Sequence, residues 1–111
     1  MVNLITNTLN SARGLKCAAG DKSFRAQILL GITSLPVIFY KSTGVPLILI
    51  FSTYCILLGF ELLNTAIENI CDEITTDYHQ GIRDIKDISS AAVMMVLIAY
   101  LFQFLKIILH L

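Results

Sequence analysis

Three long apolar runs, separated by short polar or charged stretches, organise this chain. The first is Ile28 to Tyr40, or Phe24 to Tyr40 with its flank, and it carries Pro36 inside it. Membrane helices tolerate proline in that position. The turn-like Lys41-Ser42-Thr43-Gly44 ends the run. The second begins at Val45-Pro46, where proline suits a first helical turn, and continues through Leu58. Its helical pattern then carries on through Glu61, Asn64, Glu68 and Asp72. The third, Ile88 to Leu109, is about 22 residues long, close to the ~20 that cross a bilayer. It opens on Ser89, Ser90, Ala91 and Ala92, small residues that let membrane helices approach closely. Ahead of the runs, Val2, Leu4, Ile5, Leu9, Ala12 and Leu15 recur near helical spacing among polar residues. That pattern predicts an amphipathic helix lying on the membrane surface. Gly14 and Gly20 are its candidate bends or end points. The expected organisation is a single all-α domain: surface helix 1–25, spans 26–41, 45–70 and 88–109, and a polar loop 71–87 with its break at Gly81.

Composition supports a membrane setting. Of 111 residues, 56% are apolar and only 14% charged, against about 25% charged in soluble domains. A soluble chain this short has too little interior to hide so much apolar surface. A signal peptide is the competing reading of the first run, but no A-x-A site follows it. Formal net charge is zero, which argues against a general nucleic-acid binder. Arg13, Lys16, Lys22 and Arg25 crowd the N-terminal quarter, and Arg83 and Lys86 share the loop with acidic residues. Lys41 and Lys106 stand alone. The positive-inside rule therefore places the N-terminus and the acidic loop in the cytoplasm and the C-terminus outward. Cys17, Cys55 and Cys71 are odd in number and lack C-x-x-C spacing, so neither a disulfide framework nor a zinc site is indicated.

Candidate chemistry lies on the second run. Glu61, Asn64, Glu68 and Asp72 are offset by 0, 3, 7 and 11, which confines them to a stripe about 80° wide on one helix face. A carboxylate at the centre of a bilayer costs roughly 2.5–3.5 kcal/mol, so an acid near the apolar core marks a functional candidate. Glu61 follows Leu57-Leu58-Gly59-Phe60 and is the deepest of the set. An apolar setting favours a carboxyl group's neutral form and so strengthens it as a base. Carboxylates nearer water suit a hard cation such as Mg2+, which usually takes one or two of them plus substrate phosphates. Lys86 beside Asp87 can stabilise a transferring phosphoryl group. No glycine-rich phosphate loop or protein-kinase motif is present. The same features are open to a plainer reading: Asp72, Glu73 and Asp77 as a solvated helix end, Glu61 and Glu68 as packing pairs, His79 as a surface residue. On residues alone, an enzyme and a small transporter or scaffold both remain open.

The segment Glu61-Leu62-Leu63-Asn64-Thr65-Ala66-Ile67-Glu68-Asn69-Ile70-Cys71-Asp72 resembles the signature of the prokaryotic diacylglycerol kinase family, E-x-x-N-[ST]-[SA]-[LIV]-E-x-x-[VC]-D. The likeness continues through Asp77-Tyr78-His79, Lys86-Asp87 and Ser89-Ser90-Ala91-Ala92-Val93, and upstream through Gly14-Leu15-Lys16 and Asp21-Lys22-Ser23-Phe24-Arg25. It covers nearly the whole chain. The resemblance implies a homotrimer of three-span subunits in the bacterial inner membrane. It also implies phosphorylation of a lipid alcohol, diacylglycerol, by ATP with Mg2+. Carried over by position, it implies Glu61 as general base, Glu68 and Asp21 as metal ligands, and Asn64 and Asp72 in the active site. Asp77, Tyr78, His79, Lys86 and Asp87 match the nucleotide-contacting loop. Lys16, Cys17, Ala18, Ala19, Ser23, Phe24, Arg25, Ala26, Gln27 and Ser90 match lipid-contacting regions. There are departures: Asp21 replaces a glutamate, Gln27 stands where relatives often carry Glu or His, and the stretch from Gly14 to Phe24 is one residue shorter. An arginine of the early surface helix has Asn3 in its place. Undecaprenol kinase, the same chemistry on a polyprenol, is the alternative within the family.

Overall fold

The computed structural model describes residues 2–110, and they form four helices: α1 (Val2–Ala18), α2 (Lys22–Lys41), α3 (Val45–Ile74) and α4 (Gln80–Ile108). The last three have 20, 30 and 29 residues and are long and apolar enough to cross a membrane. Each begins where its sequence supplies a start. Asp21 N-caps α2, its carboxylate accepting from the Phe24 N–H at 3.0 Å. Gly44 takes a φ of 70° that few other residues adopt, and Pro46 then opens α3. His79 caps α4, its Nδ1 accepting from the Ile82 N–H.

Two boundaries differ from the expected ones. α1 ends at Ala18, followed by a turn at Ala19–Gly20, so residues 22–25 belong to α2 and not to the N-terminal helix. The polar connection is only 75–79, because α3 runs on to Ile74 and α4 starts at Gln80. Glutamate, lysine and arginine are good helix formers, and outside the bilayer their charges do not stop a helix. Gly81 accordingly sits in the first turn of α4 and breaks nothing, and α1 passes through Gly14 unbroken.

The core is where α2, α3 and α4 meet. Ile38, Ile50, Tyr54, Leu57, Val93 and Tyr100 are buried there together. Polar bonds tie the helices: Ser34 Oγ with Tyr100 Oη between α2 and α4, Gln103 Nε2 donating to Thr53 Oγ1 at 2.8 Å between α4 and α3. Tyr54 Oη donates to the Gln27 carbonyl at 2.8 Å, across the flat surface of Gly31. Such bonds average about 0.6 kcal/mol in membranes, so they orient the helices more than they stabilise them. The outer faces stay apolar and exposed, with Ile32 at 65%, Met95 at 68% and Phe102 at 70%. An aqueous surface rarely presents so continuous an apolar area, whereas a bilayer or neighbouring copies would cover it.

Candidate active site

Depth along α3 sets the chemistry of its acidic end. A hydrocarbon core about 30 Å thick takes up about 20 residues of helix at 1.5 Å each. Counted from Val45, that distance runs out near Asn64; counted back from Ile108 on α4, it runs out near Ser89. Placed in a bilayer on that count, Glu61 and Asn64 would fall just inside the boundary, and Glu68, Asp72, Lys86 and Asp87 beyond it.

The stripe is real in three dimensions. Glu61 is 2% exposed and Asn64 5% exposed, both facing inward from α3. Asn64 Nδ2 donates to Glu68 Oε1 at 3.1 Å, one turn along the same face. Thr65, four residues after Glu61, donates from Oγ1 to Asp21 Oδ2 at 3.3 Å. That oxygen is the one that caps α2, so a single carboxylate joins the start of α2 to the middle of the α3 site. Asp21 and Glu68 are the charged neighbours of Glu61. Thr65 was not among the residues singled out from the sequence. Its offset of four from Glu61 places it on the same face, and that periodicity was the available signal.

Two buried atoms in this site have no partner among the described residues: Glu61 Oε1 and Asn64 Oδ1. Leaving a buried acceptor unpaired typically costs about 1–3 kcal/mol, more for a charged group. A bound hydroxyl, water or cation would satisfy them. The donor set is all oxygen on the carboxylate side, which fits a hard cation. Among the described residues no three His, Cys, Asp or Glu side chains form a ready-made cage. Asp21 and Glu68, the acidic neighbours of Glu61, are the carboxylates that could hold a cation here, with phosphate oxygens completing its shell.

A second cluster lies across the α3–α4 connection. Thr76, Asp77, Tyr78, His79, Ile82, Arg83, Lys86 and Asp87 line an open cleft of about 330 Å³. Lys86 Nζ donates to Asp72 Oδ1 at 2.7 Å, and this bond holds the lysine's pKa above its ordinary value, so the ammonium stays charged. Arg83 pairs loosely with Asp87 at 3.9 Å. His79 has a structural duty here, as the cap of α4.

The residues that match the family's lipid-contacting regions divide. Cys17 and Ala18 line a cleft of about 490 Å³ between α1 and α3, with Ser11, Gly14, Leu62 and Thr65. Lys16 instead lies on a separate groove along α1. Ala19, Ser23, Arg25 and Ala26 are exposed, whereas Phe24 is buried and Gln27 half-buried with its carbonyl held by Tyr54. On α4, Ser90 is exposed; its neighbour Ser89 is the one that faces inward.

The family described as prokaryotic diacylglycerol kinase matches residues 9–108. The chain belongs to that family. Its members are lipid kinases, and the buried acid on α3 and the loop cleft both fall within the matched region. The chain is 33% identical to the diacylglycerol kinase of Haemophilus influenzae over 99 residues, 87% of this chain and 84% of the relative.

Proposed function

We propose that this protein transfers the γ-phosphoryl group of ATP to the primary hydroxyl of diacylglycerol, giving phosphatidic acid. The observation that carries the reading is Glu61: a buried glutamate with one oxygen unpartnered, at the depth where a lipid's glycerol would lie. A lipid hydroxyl that enters laterally between the helices would meet that oxygen. Glu61 accepts its proton as the oxygen attacks, which is the work of a general base. Asn64 and Glu68 hold each other in place one turn away, and Asp21 is fixed by Phe24 and Thr65. Lys86, held by Asp72 at rest, supplies positive charge to the phosphates when nucleotide fills the loop cleft. Mg2+, when bound by Glu68 and Asp21, would neutralise phosphate charge.

In this reading the protein is a homotrimer, the assembly the family resemblance implies, and its exposed apolar faces are compatible with neighbouring copies as well as with lipid. It resides in the bacterial inner membrane, with the carboxylate end cytoplasmic by the distribution of its basic residues. Glu61→Gln keeps the shape of the side chain and removes its basicity. Turnover should fall by about 10²–10⁴, the weight of a general base, while ATP binding and oligomer size persist. Near-normal turnover of this variant would remove Glu61 from the role.

A further inference from the structure

The end of the bundle opposite the carboxylates is built differently. No Asp or Glu occurs from residue 22 to 60 or from residue 88 onward. The basic residues at that end are gathered: Lys41 at the close of α2, Lys106 in the last turn of α4 and His110 just past it line one cavity of about 250 Å³ with Ser42, Pro46 and Ile107. A second cavity of about 170 Å³ adjoins it, sharing Pro46, Lys106 and Ile107 and adding Leu49 and Gln103 from α3 and α4. A lysine in the last turn suits its own helix's dipole. That role does not require lysines from two helices to face one cavity, nor an apolar groove leading away from it.

We propose that this end is a binding site for an anionic phospholipid of the leaflet facing away from the kinase site. The phosphodiester sits among Lys41, Lys106 and His110. The upper part of an acyl chain follows the groove past Pro46, Leu49 and Ile107. Charge complementarity selects the sign of the headgroup. Position favours a lipid over a soluble anion, because the cavity lies at the ends of α2 and α4, two helices long and apolar enough to cross a membrane, where headgroups would meet them. A lipid held there would brace the ends of all three long helices.

The test is a titration of the purified protein with phosphatidylglycerol and with phosphatidylcholine in detergent micelles, read by native mass spectrometry. The wild type should bind phosphatidylglycerol the more tightly. The Lys41→Gln/Lys106→Gln variant should weaken phosphatidylglycerol by about 25-fold, some fivefold for each lysine beside an anionic headgroup, and leave phosphatidylcholine unchanged. Lys41→Arg/Lys106→Arg, which keeps the charge, should retain the binding and guards against a folding defect. Equal affinity for the two lipids, unchanged affinity in the glutamine variant, or an equal loss on Lys22→Gln at the other end would overturn the proposal. So would full displacement by free glycerol phosphate, which would make the site one for a soluble anion.

Discussion

The seat of Tyr54 on Gly31 gives the sharpest test of how the helices are held. A methyl group at Gly31 would fall on the Tyr54 ring, colliding with Oη and Cζ and lying 3.0 Å from Cε2. Tyr54 is 6% exposed and its ring is tilted against that of Tyr100, with centroids 5.6 Å apart, so the ring has no free space to enter. Gly31→Ala must therefore push α2 from α3 or expel the ring. Overpacking of this kind costs about 1–3 kcal/mol. Expelling the ring also breaks the Tyr54–Gln27 bond, a further ~0.6 kcal/mol. The expected loss is about 2–3 kcal/mol, measured by unfolding in mixed micelles of increasing SDS content, followed by circular dichroism. The partner substitutions separate causes. Tyr54→Phe leaves Cζ and Cε2 in place and should not relieve Gly31→Ala. Tyr54→Leu lacks all three colliding atoms, so in that background the alanine should cost less by at least ~1 kcal/mol, a coupling of the size expected for contacting residues. If Gly31→Ala is as stable as wild type, or costs the same beside leucine as beside tyrosine, the seat is not what positions α2.

Other outcomes follow from the same contacts. Glu68→Gln removes a carboxylate proposed to hold Mg2+ and should raise the Mg2+ concentration needed for half-maximal rate several-fold; an unchanged titration would sink that role. Asp21→Asn keeps a cap for α2 but loses a charge, so it should shift the Mg2+ requirement while costing less than ~1 kcal/mol in stability. Tyr100→Phe unties Ser34 and should cost about 0.6–1.7 kcal/mol without changing turnover; a large kinetic effect would show that this bond reaches the site.

Much of this architecture can be read from the sequence, for physical reasons. Apolar runs of bilayer length have few alternatives to helices, since every backbone group must be paired inside lipid. The offsets of Glu61, Asn64, Glu68 and Asp72 already confine them to one face, and two of them are the inward-facing pair. The rest depended on contacts distant in sequence. Nothing local shows that Thr65 reaches Asp21, 44 positions away, or that Gly31 is flat because Tyr54 lies on it. The short 75–79 connection was masked by charges that read as loop but are compatible with exposed helix. Ser89 and Ser90 are adjacent and chemically identical, so only packing decides which one faces inward.

The most direct test of the central claim is phosphate transfer from γ-labelled ATP with Mg2+, offering diacylglycerol and undecaprenol together to the folded protein in mixed micelles. Labelled phosphatidic acid should be the main product, and Glu61→Gln should abolish it. Labelled undecaprenyl phosphate as the main product would contradict the assignment of substrate while keeping the phosphotransfer site; no labelled lipid at all would contradict the claim that the buried glutamate of α3 serves a kinase.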